Sequence, residues 1–362
     1  MARPRTVYRG QGKYGWIVTL IVTLLVLALL AGLWLFYYLQ RFIVYDKDTL
    51  RLVLPSERGE GETLSTDSNE PVATFTPVDV QIVVDQTYFS SVEAITVGDL
   101  HGVHARFLSG DALTQARLDG LSVGMGDYDA LVLEMKPTSG LLRYHSSMPI
   151  AISYNVNGEL NISEPLEKLR SKNAYLIARV SALADTSMAT RYAPIALKNS
   201  NGSGVFVQDG TAWLDPYSET VRDYLSGLMQ EMKELGFDEV LFNGFYLPDS
   251  PLLQYSATMT GTPDPLSAVS SLAVYLRAEA DRIGIRMAGE LEADPLLHSE
   301  SRKVGQDLAL FFKLFDRVAF DVSAEEQNAA LSVLRAVAGE EDYRLLPFTS
   351  AAVPGLSNWV IR

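Results

Sequence analysis

Four carboxyl side chains and one amide stand at the ends of predicted strands, where α/β folds carry their chemistry. They are Glu134 in "DALVLEMK", Glu290 and Glu292 in "IRMAGELE", Asp321 in "RVAFDVS" and Asn243 in "DEVLFNGF". Paired carboxyls can divide acid–base work, one holding a proton while the other stays ionised. An amide can donate and accept hydrogen bonds, but it takes up no proton and forms no ester. Strand alternation predicts that Glu134 and Lys136 share a face, and that Glu290 and Glu292 share another. Glu134 and Lys136 read equally well as a structural ion pair at a strand end. Arg179, in the apolar "LIARVSA", either positions a carboxylate, binds a substrate hydroxyl or is a buried structural residue. Asp215, in "WLDP", either faces a ligand or begins the turn into the next helix.

These residues need elements to hold them. Seven strand candidates alternate with helical stretches: 101–108, 129–136, 174–182, 238–245, 285–292, 317–323 and 342–349. Their apolar runs, such as Leu131-Val132-Leu133 and Tyr175-Leu176-Ile177, suit parallel strands covered on both faces. Helices are predicted at 111–122, 164–172, 218–236 and 264–284. The third has Ser218 as N-cap, Gly236 as C-cap, and an apolar stripe of Val221, Tyr224, Leu225, Leu228, Met232 and Leu235. This alternation predicts an α/β fold, a (β/α)8 TIM-barrel-like domain, with a doubly wound open sheet as the competing arrangement. An eighth strand is expected either from 79–84, "DVQIVV", or from the segment ending "SNWVIR".

The N-terminal region reads differently. Residues 16–39, "WIVTLIVTLLVLALLAGLWLFYYL", lack any charge and are long enough to span a bilayer core. Arg3, Arg5, Arg9 and Lys13 precede them without an acid, so the positive-inside rule predicts a cytoplasmic N-terminus. The expected order is a basic cytoplasmic tail (1–15), a single transmembrane helix acting as an uncleaved signal anchor (16–39), a stalk (40–77) and an extracytoplasmic domain (78–362). The Pro-, Gly- and acid-rich run "PSERGEGETLSTDSNEPVATFTP" (55–77) carries the stalk reading.

The chain has no cysteine, which excludes disulfides, thiolate metal sites and a cysteine nucleophile. A net charge of -14 argues against nucleic acid as a partner. No phosphate loop, dinucleotide fingerprint or metalloprotease motif occurs, so no cofactor and no metal are expected. "GLSVG" (120–124) matches a nucleophile-elbow pattern around Ser122, but a helical stretch precedes it and a strand follows, the reverse of what the elbow requires.

Three blocks carry a family resemblance: "AYLIARVSALADTSMA" (174–189), "AWLDPYSETVRDY" (212–224) and "KELGFDEVLFNGFYLP" (233–248). In this order they resemble the bacterial family known as putative glycoside hydrolase domains, TIM-barrel relatives of the alpha-amylase-like glycosidases. "YDALVLEMKPTSGLLRYHS" (128–146) resembles its early strand, and "KVGQDLALFFKLFDRVAF" (303–320) keeps its Gly-Gln before a helix. The resemblance implies an extracellular glycan as ligand. It implies Trp213 as a platform for a sugar ring, with Asp215, Arg179, Lys136, Glu292 and Tyr246 around the ligand. It implies a general acid at the end of the strand after Asn243, with Glu290 preferred over Glu292. Glu134 and Asp321 are the remaining catalytic candidates. The chain departs from the family block Gly-Phe-Asp-Glu-Ile-x-Phe-Asp-Tyr-x-Arg-Phe-Pro at two places. Its second Asp falls on Asn243 and its Arg on Tyr246. Glycoside hydrolysis ordinarily needs two carboxyls, so an amide at this nucleophile-like position implies weakened or lost catalysis. The alternative is a non-catalytic interaction protein of the cell envelope built on a TIM-barrel fold.

Overall fold

The computed structural model describes residues 102–126, 128–200, 202, 204–255 and 264–362, and before them 20, 22, 23, 26, 43–46 and 49–52. The predicted membrane span lies outside the described residues, apart from four helical positions: Leu20, Val22, Thr23 and Val26. Of the expected stalk (40–77) only residues 43–46 and 49–52 are described; its Pro-, Gly- and acid-rich run at 55–77 and the strand candidate at 79–84 lie outside the described residues. Among the described residues no helix is long and apolar enough to cross a membrane. The chain divides into two compact units, Met1–Ile82 and Val83–Arg362. In the first, Ile43–Asp46 pairs antiparallel with Thr49–Leu52.

The second unit holds the chemistry. Its main strands are β1 (His104–Leu108), β2 (Ala130–Lys136), β3 (Tyr175–Ser181), β4 (Glu239–Asn243), β5 (Arg286–Leu291), β6 (Arg317–Asp321), β7 (Leu345–Thr349) and β8 (Trp359–Ile361). They close into one barrel in sequence order, each pair parallel. The fold is therefore a (β/α)8-type barrel and not an open sheet. Six main crossover helices connect the strands: α1 (Gln115–Val123), α2 (Ser163–Ser171), α3 (Glu219–Leu235), α4 (Pro265–Ile283), α5 (Leu308–Leu314) and α6 (Gln327–Ala338).

Alternation explains the two cores. Ala105, Val132, Ile177, Leu241, Ala288, Ala319, Leu346 and Val360 fill the barrel interior. The residues between them face the helices, where Leu131, Leu133, Leu176, Val180, Val240, Phe242, Met287 and Phe320 meet the helix stripes. On α3 that stripe is the expected one, and Gly236 ends the helix in the left-handed region at φ 92. Ser218 occupies the N-cap position but its side chain makes no capping bond. Gly289 shows how tightly the layers meet. A Cβ there would lie 3.0 Å from Phe315 and 3.1 Å from Phe311.

The eighth strand is the C-terminal candidate. It is only three residues long, and no helix leads into it. Asn358 supplies what a helix would otherwise provide. Its Oδ1 accepts from Val103 N at 2.9 Å, and its Nδ2 donates to Leu345 O at 3.3 Å. One buried amide thus ties the approaches to β1, β7 and β8 together.

Candidate active site

Barrel geometry sends the inner-face residues at the strand C-termini into one mouth. Arg179 of β3 is at its centre. Its Nε and one terminal nitrogen bind both oxygens of Glu290 on β5, at 2.8 and 2.7 Å. The other terminal nitrogen donates to Glu134 on β2. The second oxygen of Glu134 accepts from Gly110 N at 2.5 Å, in the loop after β1. Phe107 and Phe348 flank the guanidinium, with ring centroids 5.5 and 5.8 Å away. The three charged side chains are only 11–14% exposed, so they meet solvent through the mouth alone. Of the three readings open to Arg179, the structure supports carboxylate positioning, and for two carboxylates at once.

Asn243 ends β4 on the inner face, in register with Ser181 of β3. It is 4% exposed, and its Oδ1 has no hydrogen-bond partner among the described residues. Register places Phe242 beside Gly289, so the next pair along is Asn243 and Glu290.

Glu292 stands just beyond β5, at the N-cap position of the short helix Ala293–Leu297. Burial, and then the charge of Glu290, push its carboxyl above the ordinary value, while a hydrogen bond from the Tyr246 phenol pulls the other way. Burial, and then the charge of Glu292, raise Tyr246 itself. Tyr246 packs edge-on against Trp213, with centroids 4.9 Å apart.

Other expected site residues lie elsewhere. Lys136 does not share the face of Glu134. The β2–β3 register runs Glu134 to Arg179 and then Lys136 to Val180, a β-bulge that turns Lys136 onto the helix side. There it is fully buried, donates to Ser181 O at 2.6 Å, pairs with Asp185 at 2.8 Å and lies 5.7 Å from the Tyr224 ring centroid. Burial raises the Asp185 carboxyl and Lys136 opposes that shift. Trp213 is only 4% exposed, so it is part of the packed loop layer and not an open sugar platform. Asp215 is fully buried; its Oδ1 accepts from Tyr217 N at 2.9 Å, which is the turn into α3. Asp321 pairs with Arg362 at the rim. Ser122 lies within α1, its hydroxyl donating to Asp119 O at 2.6 Å, so the elbow pattern is a helix segment.

One residue of the site had no assigned role in the sequence reading. Gln306 is fully buried between the 3-10 turn Ser301–Val304 and α5. Its Oε1 accepts from Glu292 N at 2.9 Å, and its Nε2 donates to Phe245 O at 3.3 Å and Glu290 O at 3.2 Å. It joins the loop after β4 to the end of β5. The quoted Gly-Gln pair marked the position, but its partners are backbone groups that no spacing reveals. Gln306→Leu leaves those groups unpaired, each costing about 1–3 kcal/mol. A lower urea midpoint is expected; an unchanged one would show that the amide does not hold these loops.

The loops above the mouth are themselves joined. Lys198–Asn199, in the β3–α3 connection, pairs antiparallel with Leu253–Gln254 in the β4–α4 connection. Gln254 Nε2 reinforces this by donating to Ser200 O at 2.6 Å.

Comparison with known proteins shows the family through its sequence model. Residues 108–320, more than half of the chain, match the family described as a putative glycosyl hydrolase domain. A hypothetical protein from Ruminiclostridium thermocellum is similar at 22% identity, over 51% of this chain and 96% of that one, with a TM-score of 0.45. The PgaB (BpsB) glycoside hydrolase domain from Bordetella bronchiseptica is similar at 16% identity, over 69% of this chain and 84% of that one, with a TM-score of 0.49. No curated protein matches.

Proposed function

We propose that this chain, which belongs to the putative glycosyl hydrolase domain family, recognises a glycan at the barrel mouth and lacks the enzyme nucleophile of direct displacement. One arrangement carries this reading. Glu134 and Glu290 are both bound by Arg179, while the strand between β3 and β5 ends in Asn243. A carboxylate already held by a guanidinium is a weakened nucleophile, and an amide is none. Glu292 remains as a carboxyl suited to carrying a proton, held by Tyr246 and Gln306. The charge-free run at 16–39 and its basic flank support an extracytoplasmic site on a single-pass membrane anchor. Its ligand is then a cell-envelope or other extracellular glycan.

The test is a glycan array with a hydrolysis readout, using the full-length protein in detergent micelles beside Asn243→Asp. The wild type is expected to bind glycan and leave neutral hexosides intact. The variant regains a carboxylate at the end of β4 and is expected to gain hydrolysis of them. Glycan binding by neither form would overturn the carbohydrate reading and favour a non-catalytic envelope scaffold.

A further inference from the structure

Arg179 and its two carboxylates take the centre of the mouth, and open space lies to one side of them. The β4–α4 connection carries a cleft of about 410 Å³. Small-ligand sites occupy about 300–1,000 Å³. The connection leaves the C-terminal end of β4, so the cleft is on the barrel face that holds Arg179 and Glu290. Its lining begins at Pro248, two residues past Tyr246, no more than about 7 Å of chain. The lining is apolar at Pro251, Leu253, Tyr255 and Pro265 and polar at Asp249 and Gln254.

Neighbouring loops brace this lining. Leu253–Gln254 pairs antiparallel with Lys198–Asn199, and Gln254 Nε2 donates to Ser200 O at 2.6 Å. The half-buried Tyr255 ring meets Tyr217 edge to face, with centroids 5.3 Å apart. Tyr217 N in turn donates to the buried Asp215 at 2.9 Å. Charge narrows what such a cleft can take. Among the described residues no lysine or arginine lines it, whereas Asp249 does. The positive end of α4 opens at Pro265, but Asp264 already caps it, accepting from Ser267 N at 2.8 Å. Lys303, whose charge is felt by Asp249, is engaged by Glu300 at 2.6 Å. A ligand carboxylate would therefore meet like charge with no lining cation to offset it. An uncharged pyranose fits both halves of the lining. With every substituent equatorial it presents C–H faces to apolar side chains and hydroxyl edges to acceptors.

We propose that the cleft of the β4–α4 connection is a glycan subsite that holds an uncharged, gluco-configured pyranose unit against Tyr255 and rejects uronate units. This rests on the reading of the barrel mouth as a glycan site. Tyr255 and the prolines carry the ring, and Asp249 and Gln254 accept from its hydroxyls. A chain anchored here gains its affinity at the rim and not in the crowded centre.

The test is calorimetry on the full-length protein in micelles of a detergent without sugar groups. The probes are cellopentaose, chitopentaose, the β-1,4-linked glucuronate pentamer and decaproline. The wild type is expected to bind a neutral pentamer and to bind the glucuronate pentamer at least about 10-fold more weakly, the order of one like-charge contact near a surface. Tyr255→Ala is expected to weaken neutral binding about 30-fold, as truncating a central aromatic anchor does. Tyr255→Phe keeps the ring and should keep the binding. Asp249 is exposed, so Asp249→Lys should fold normally. It is expected to raise glucuronate binding to the level of the neutral pentamer. Neutral binding that Tyr255→Ala leaves unchanged overturns the subsite and leaves the glycan reading standing. Should Tyr255→Ala lower the urea midpoint, the Asp249→Lys arm decides: no gain of glucuronate binding overturns the subsite. Equal wild-type binding of neutral and acidic pentamers overturns it as well. Decaproline binding without pentamer binding makes the cleft a peptide groove and overturns the proposal. Glycans bound on the array with no pentamer bound overturn the subsite alone; no glycan bound in either experiment overturns both readings.

Discussion

Arg179→Met is expected to destabilise the barrel domain by about 3–5 kcal/mol, the cost of removing one partner from a buried charge cluster. The guanidinium is shared. It binds both oxygens of Glu290 and one of Glu134, and each of the three side chains is at most 14% exposed. Without it, two carboxylates face one mouth with little solvent between them. The aromatic flank of Phe107 and Phe348 also loses its cation. Arg179→Lys should recover only part of the loss, because an ammonium cannot reproduce the two-sided fork. The decisive measurement is a mutant cycle on urea unfolding. Adding Glu134→Gln and Glu290→Gln to Arg179→Met removes the unpaired charges and should restore most of the midpoint. A single variant within about 1 kcal/mol of wild type, the range of an exposed pair, would mean that the cluster is surface-like in its energetics.

That cluster also shows what the sequence could and could not reveal. Glu134, Arg179, Asn243 and Glu290 were legible as strand-end polar residues because their strands are covered on both faces and read as nearly unbroken apolar runs. In the barrel, alternation puts all four on the inner face. It failed at Lys136 because a β-bulge changes the facing by one residue and leaves no local signature in "LEMKP". The preference for Glu290 over Glu292 as general acid took no account of Arg179, since its reach across the barrel from β3 to β5 is a tertiary fact. Trp213 looked like a sugar platform because an aromatic beside a turn is equally suited to exposure and to packing; Tyr246 decides for packing. Gln306 and Asn358 act on backbone groups far apart in sequence, so their roles emerge only once the strands are assembled. β8 was the least legible strand, being three residues long with no helix before it.

The opposite end of the barrel makes a prediction with a definite sign. Glu239 and Arg317, the first residues of β4 and β6, are fully buried and paired, and the Tyr175 hydroxyl donates to the same Glu239 oxygen at 2.8 Å. Burial raises the Glu239 carboxyl above its ordinary value of 4.5, and Arg317 is the largest influence pulling it back down. Arg317→Met therefore raises it further. A carboxyl whose folded value is raised binds its proton more tightly when folded than when unfolded. Its favourable contribution is complete below the ordinary value and is lost as pH rises through the raised one. The variant should accordingly lose about 3–5 kcal/mol near neutral pH, where Glu239 would be ionised and unpaired or else forced to take up a proton. The deficit should shrink steadily toward about pH 5 and below, as protonation becomes cheap. Arg317→Met with Glu239→Gln removes the titrating group, so its deficit should be smaller and nearly independent of pH. Urea midpoints for the three proteins across this range give the comparison. A deficit in Arg317→Met that stays constant with pH would mean that Arg317 acts through packing against Tyr175, 5.5 Å from its ring centroid, and not through the charge of Glu239.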